Sequence, residues 1–284
     1  MIRGKDLTVE LGGRPIISGV SIDVIPGEFV AVVGSNGAGK STLLKALSGE
    51  VPLTGGTVDL VGRPLADWPA VERALRLAVL PQSSSLSFGL SVREIVALGC
   101  LPMAGRVSGE IQAKVVQDAM VKAEVEAFAE RNYLTLSGGE KLRTHLARAM
   151  AQILEPTHAD PRVLLLDEPT SSLDLRHQMR VLEIVKEFTS SGVGILAILH
   201  DLNLASRFAD RVFVMHQGSV VSSGKPADVF DAGLLRSAFG IEATLVQVEG
   251  ISAPQVVVLD TDSSARKASS EGSPQPLSPN RRSL

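Results

Sequence analysis

The sequence has a single cysteine, Cys100, so it forms no internal disulfide; one thiol suits a reducing cytoplasm, and the residue reads as a small, partly buried side chain. It has no excess of charge. Lys and Arg number 28 against 31 Asp and Glu, and a formal net charge of -3 excludes a broad basic face and with it a nucleic-acid-binding surface. It has no long apolar run: Gly194 to Leu199 and Val163 to Leu166 stop far short of the roughly 18 to 20 residues that span a bilayer, so the chain is not expected to cross a membrane. No apolar signal core appears in the N-terminal MIRGKDLTVELGG, and export is not expected. No internal repeat is present. What remains is ordinary globular composition, 44% hydrophobic and 21% charged, in 284 residues that can bury a sizeable core.

Residues 7 to 33 alternate apolar and polar positions around glycine and proline, which predicts a set of strands. The last, Phe29 to Val33, is continuously apolar and suits a central buried strand. VLLLD (163 to 167) and GILAILH (194 to 200) resemble it, each followed by polar residues and then a helical pattern. Strands alternating with helices imply a parallel sheet with its ligand at the strands' carboxyl ends. Between about Phe88 and Glu130 the pattern turns helical, in REIVALG and EIQAKVVQDAMVKAEVEAFAE, and reads as an inserted subdomain. After Gly240 come ATLVQVEG and PQVVVLD, one or two further strands. From Asp262 to Leu284 the chain is rich in Ser, Pro and Arg without periodicity, the composition of a disordered tail.

Residues 34 to 42, GSNGAGKST, fit G-x-x-x-x-G-K-[ST], follow a predicted strand and open a predicted helix, TLLKALSG. That context is the one the motif requires. Gly34, Ser35, Asn36, Gly37, Ala38 and Gly39 bring backbone N–H groups around phosphate oxygens, Lys40 sets a cation against the β and γ phosphates, and Ser41, with Thr42 beside it, offers a hydroxyl to Mg²⁺. A phosphate loop alone says only nucleotide. VLLLDEP supplies the rest, because an apolar strand there ends in adjacent carboxylates: Asp167 suits the Mg²⁺ shell and Glu168 suits polarising an attacking water. For the pair alone, capping of the next helix is the competing reading.

A second glycine-opened turn stands in YLTLSGGEKLR, residues 133 to 143. Ser137 and Glu140 form a capping box, with Leu142, Leu146, Ala149 and Ile153 following at helical spacing. A cap does not need Gly138 and Gly139, which cost helix stability by roughly a kcal/mol each at interior values. Bare N–H groups at a positive helix end make an anion site. The chain's own phosphate loop envelops the phosphates and leaves the γ-phosphate open on one side, so a second chain is the natural user of this turn.

GSNGAGKST, LPQ, LSGGE, LLLDEP, SSLD and a strand-terminal LH, in this order, resemble the nucleotide-binding subunit of ABC transporters over about residues 5 to 245. The resemblance implies an α/β P-loop NTPase of ABC type, with a mainly parallel sheet core, an antiparallel β subdomain and an α-helical subdomain. The boundaries it suggests are an ATPase domain over 1–245, its helical subdomain at about 86–145, a strand extension over 246–261 and the tail over 262–284. It further implies ATP and Mg²⁺ as ligands and a head-to-tail homodimer in which Ser137, Gly138, Gly139 and Glu140 of one copy close over ATP held by the other. Gln82 would sense the nucleotide, join the metal shell and face the membrane subunit; Asp174 would lie at the dimer interface, and His200 would contact the γ-phosphate. His145, His158, His177 and His216 have no such support and read as structural or solvated.

In one respect the chain departs from the family, which places an aromatic just before the GG of the first hairpin to stack on adenine. Here the residue is Leu11. Stacking is worth about 1 to 3 kcal/mol per base, so weak base discrimination is expected. Three stretches narrow the resemblance. GKPADVFDAGLLRSAFGIEATLV is similar to importer subunits of the iron-siderophore, vitamin B12 and haem group, while DWPAVERALRLAVLPQ, and ILEPTHADPR followed by SSLDLRHQ, are similar to its haem branch. This implies a haemin-importer ATPase peripheral to the cytoplasmic face of the inner membrane. Its partners would be two transmembrane permease subunits and a periplasmic or surface haem-binding protein, and haem itself would not touch the chain. Ferric siderophore or vitamin B12 import, or a soluble ABC-type ATPase, are the alternatives. The last usually carries two cassettes or a coiled-coil arm, and neither pattern occurs here.

Overall fold

The punctuation of the first 34 residues separates three strands, β1 (Ile2–Leu11), β2 (Arg14–Val24) and β3 (Phe29–Gly34). They belong to a computed structural model that describes residues 1–82, 89–154, 161–171, 173–249 and 253–259. β3 leads into α1 (Lys40–Ser48), followed by β4 (Gly55–Leu60), β5 (Arg63–Pro64), α2 (Ala70–Ala74) and β6 (Leu77–Leu80). The helices α3 (Val92–Ala97), α4 (Gly109–Lys122) and α5 (Gly138–Ile153) come next. Then β7 (Arg162–Asp167), α6 (Leu175–Thr189), β8 (Val193–Ile198), α7 (Leu202–Phe208), β9 (Arg211–His216) and β10 (Ser219–Gly224) complete the main body. A hairpin of β11 (Ala243–Val246) and β12 (Gln255–Val258) packs on α7, where Asn203 bonds to both the N–H and the C=O of Val256.

The central sheet runs β10-β9-β3-β8-β7-β6, parallel throughout except for β10, and a second, antiparallel sheet runs β2-β1-β4-β5. β3 is apolar at every position because both its faces are covered. Phe29, Ala31 and Val33 share a core with Leu146 and Met150 of α5 and Val181 and Val185 of α6. Val30 and Val32 face the other way, into a core with Ile17 of β2 and Leu43 and Leu47 of α1. In register, Val32 of β3 and Asp167 of β7 both stand opposite Ile198 of β8. Three strands therefore end at one edge, and the residues that follow them meet there.

The expected strands at 29–33, 163–167 and 194–200 are present with small shifts of boundary. β4, β6, β9 and β10 were not singled out by the pattern. For β9 and β10 the signal in the sequence was Gly218: it and Gln217 form the two-residue turn between the strands, both at positive φ (80° and 46°). The helical run expected over 110–130 stops at Lys122. Glu124 takes a positive φ of 55°, which turns the chain so that Val125 is fully buried. The stretch 155–160, including His158, and the tail 262–284 lie outside the described residues.

Candidate nucleotide site

The turn from β3 into α1 requires glycine at two positions of its own backbone. A Cβ on Gly34 would stand 2.2 Å from the carbonyl oxygen of Met215, and Gly37 takes a φ of 79°. Lys40 is buried, and its Nζ donates to the carbonyl oxygens of Gly34 (2.8 Å) and Ser35 (3.0 Å), tying the loop into a ring around its own cation. Burial pulls the Lys40 ammonium below the ordinary lysine range, against the opposing pull of Glu168 and Asp167. α1 begins after Gly39, which makes no side-chain cap, so no side chain of the cap competes for the first-turn N–H groups.

Asp167 ends β7 buried, and its Oδ1 accepts from Ser41 Oγ at 3.1 Å. Burial, with the neighbouring Glu168 adding, raises the Asp167 carboxyl above the ordinary carboxylate range, while the Ser41 bond lowers it. Glu168 follows at a φ of 52°, a strained value for a residue with a Cβ. Its backbone oxygen accepts from Ser171 N (3.1 Å) and Ser171 Oγ (3.0 Å). Its carboxylate is held on two sides, by Gln82 Nε2 at 2.6 Å and His200 Nε2 at 2.5 Å. Neither carboxylate caps the next helix: Asp174 does, accepting from His177 N at 3.0 Å, so the capping alternative falls away.

These groups surround a cavity of about 540 Å³ lined by Asn36, Gly37, Ala38, Gly39, Lys40, Ser41, Thr42, Gln82, Glu168 and His200, together with Ile16. Ile16 is the lining residue that motif reading missed. It stands on β2 and brings an aliphatic surface to the loop, whereas Leu11 is absent from the lining and about half exposed. The donor set suits Mg²⁺. It is oxygen-rich, with a hydroxyl and a buried carboxylate, and among the described residues no cluster of three or more His, Cys, Asp or Glu forms a complete metal cage. A cation there needs phosphate oxygens and water as further ligands.

The second turn lies elsewhere. Ser137, Gly138, Gly139, Glu140 and Asp174 are all absent from the lining of the phosphate-loop cavity; Gly138 instead borders a recess of about 210 Å³ with Gln82, Lys141, Leu142 and Ser171. The capping box is formed, Ser137 N donating to Glu140 Oε2 (2.8 Å) and Glu140 N to Ser137 Oγ (3.3 Å). The bond from Ser137 N to the carboxylate holds the Glu140 carboxyl below its usual range. The box leaves the N–H groups of Gly138 and Gly139 to be met otherwise. The expectation that both glycines answer only to another copy needs one correction. A Cβ on Gly138 would meet nothing within 4 Å, but a Cβ on Gly139 would stand 3.0 Å from the His177 ring, so Gly139 has a reason within its own chain.

Of the other histidines, His145 is buried with Nε2 2.9 Å from the Tyr133 hydroxyl, and His216 Nδ1 lies 3.1 Å from the Ala238 carbonyl oxygen. Both are structural. Cys100 is buried, and its thiol is pushed up to about 11, which leaves it protonated and inert.

Residues 17–171 match the sequence model of the family described as ABC transporter. The chain is 44% identical over 263 residues to the hemin import ATP-binding protein HmuV of Gloeobacter violaceus, covering 93% of this chain and 96% of that protein. With the protein of the same name from Streptomyces coelicolor it shares 48% identity over 233 residues, covering 82% and 81%. Among solved structures, a dimeric bacterial ABC transporter cassette superposes with a TM-score of 0.67 at 28% identity, over 80% of this chain and 99% of that one.

Proposed function

We propose, from the premise that this chain belongs to the ABC transporter family, that it is the ATP-hydrolysing subunit of an import complex for haemin. The observation that carries the hydrolytic reading is Glu168, whose carboxylate faces the phosphate-loop cavity beside Lys40 and Ser41. The phosphate loop binds the triphosphate through its N–H groups and the Lys40 ammonium. Mg²⁺, held by Ser41, Asp167 and Gln82 together with phosphate oxygens, would supply charge neutralisation to the reacting phosphates. Glu168 orients and polarises the attacking water, and His200 reaches the γ-phosphate when it leaves Glu168. Gln82 bonds Glu168 across 86 residues of chain, so its movement would report the state of the site to a membrane subunit that faces it.

The reading extends to two copies arranged head to tail, each presenting Ser137 and Gly138 to nucleotide held by the other and meeting near Asp174. The positions of these residues outside their own chain's cavity support it, as does the dimeric state of the cassette cited above. Transmembrane permease subunits would carry the substrate, with this chain peripheral to the membrane on its cytoplasmic side. No helix among the described residues is long and apolar enough to cross a membrane. Haemin as the cargo is supported by the names of the relatives and by their near full-length match. A partner haem-binding protein completes the proposed system. Reconstitution with the permease tests this: haemin presented by its binding protein should stimulate ATP turnover, and stimulation by a ferric siderophore or vitamin B12 instead would replace the cargo assignment.

A further inference from the structure

The histidine that had no assigned purpose lies under the second glycine turn. His177 is in the first turn of α6, and its Nδ1 lies 2.7 Å from Asp174 Oδ1, the same oxygen that accepts its backbone N–H at 3.0 Å. One carboxylate oxygen thus caps the helix and fixes the ring. Donation from Nδ1 to that carboxylate turns the Cδ2 and Nε2 edge toward α5, and a Cβ added to Gly139 would be 3.0 Å from Cδ2 and 3.7 Å from Nε2. Gly139 is buried there, whereas Ser137 and Gly138 are exposed. The segment ahead of α6 is itself pinned, because Gln178 Nε2 donates to the carbonyl oxygens of Thr170 (3.2 Å) and Leu173 (3.0 Å). Along the chain, Glu168 through Ser171 lead directly into Asp174 and His177.

We infer that His177 is a positioning residue. Its ring, oriented by Asp174, is the floor on which Gly139 rests, and so sets where the first turn of α5 presents Ser137 and Gly138 to a second copy. The inference rests on the proposed two-copy site. It gives Gly139 and Asp174 a joint task within one subunit: a shift of the segment after Glu168 moves the turn that acts on the partner's nucleotide.

The test is a double-mutant cycle on the full chain, with His177→Ala, Gly139→Ala and the pair, reading MgATP turnover against protein concentration, ATP binding by the monomer and thermal unfolding. His177→Ala should raise the protein concentration for half-maximal turnover about tenfold, with monomer ATP affinity changed less than about twofold. Gly139→Ala should be harmful in the parent, where its Cβ meets the ring, and at least about fivefold less harmful in the His177→Ala chain. The proposal is overturned if the two effects simply multiply, if His177→Ala turns over like the parent, or if its loss tracks early melting or weakened monomer binding. Ser137→Ala run alongside separates the failures. If it lowers turnover while the cycle shows no coupling, the positioning role alone is wrong; if it too is silent, the two-copy reading falls and takes this inference with it.

Discussion

The glycine-rich turns that open α1 and α5 use glycine for different physical reasons. At residues 34–39 the backbone requires it: Gly37 and Gly39 have φ of 79° and 96°, and Gly34 lies against the Met215 carbonyl. At 138–139 neither glycine has a positive φ, since both are ordinary helical residues. There space decides, the His177 ring crowding a Cβ at Gly139 to 3.0 Å and nothing among the described residues lying within 4 Å of one at Gly138. The caps differ in the same sense. Gly39 offers α1 no side-chain cap, while Ser137 and Glu140 form a reciprocal capping box on α5. The first turn is shaped by its own chain to enclose an anion; the second is a stable helix start with one face left bare.

The comparison can be broken by substitution. On the enclosing side, Glu168→Gln should cut turnover about 10²- to 10⁴-fold while ATP still binds and promotes dimerisation, read by phosphate release and by size-exclusion with nucleotide. On the bare side, Ser137→Ala should reduce turnover by about 10²-fold, in the range of a lost phosphate-stabilising donor, with monomer ATP binding largely intact. Loss of monomer binding would show that the second turn serves its own chain's nucleotide.

Smaller effects sharpen the contrast. Gly37→Ala should destabilise the chain by about 1–2 kcal/mol, because a Cβ strains the positive φ. Gly138→Ala should stabilise it, by at most about 1 kcal/mol, through helix propensity, yet impair turnover. Chemical denaturation measures both, and equal signs would erase the distinction drawn between the turns. Asp167→Asn relieves a buried charge. The raised folded-state pKa means that stability is lost as pH rises from the ordinary carboxylate value through the raised one. The variant should therefore melt above the parent at pH 8, with the gap closing as pH falls into the carboxylate range, while hydrolysis is lost. The smallest effect concerns the base. With Leu11 outside the cavity and Ile16 its lining residue on the first hairpin, GTP should be hydrolysed within about fivefold of ATP.

By itself the sequence determined the phosphate loop, the carboxylate pair after VLLL, the capping box at Ser137 and the α/β order of strands and helices. Each of these is written within a few adjacent residues: glycine spacing, an apolar run with a polar end, or a cap three residues from its partner. Strands such as β6, four residues long, escaped because so short an apolar run carries no period of its own. Only the tertiary structure decided that Gln82 and His200 both grip Glu168, that Ile16 lines the cavity, and that His177 lies beneath Gly139. The two contacts to Glu168 span 86 and 32 positions of chain and depend on parallel strands ending at one edge, while that of His177 with Gly139 brings together the first turns of two separate helices. A linear pattern records what each segment will do locally, whereas which segments then meet is settled by burying both faces of the sheet at once.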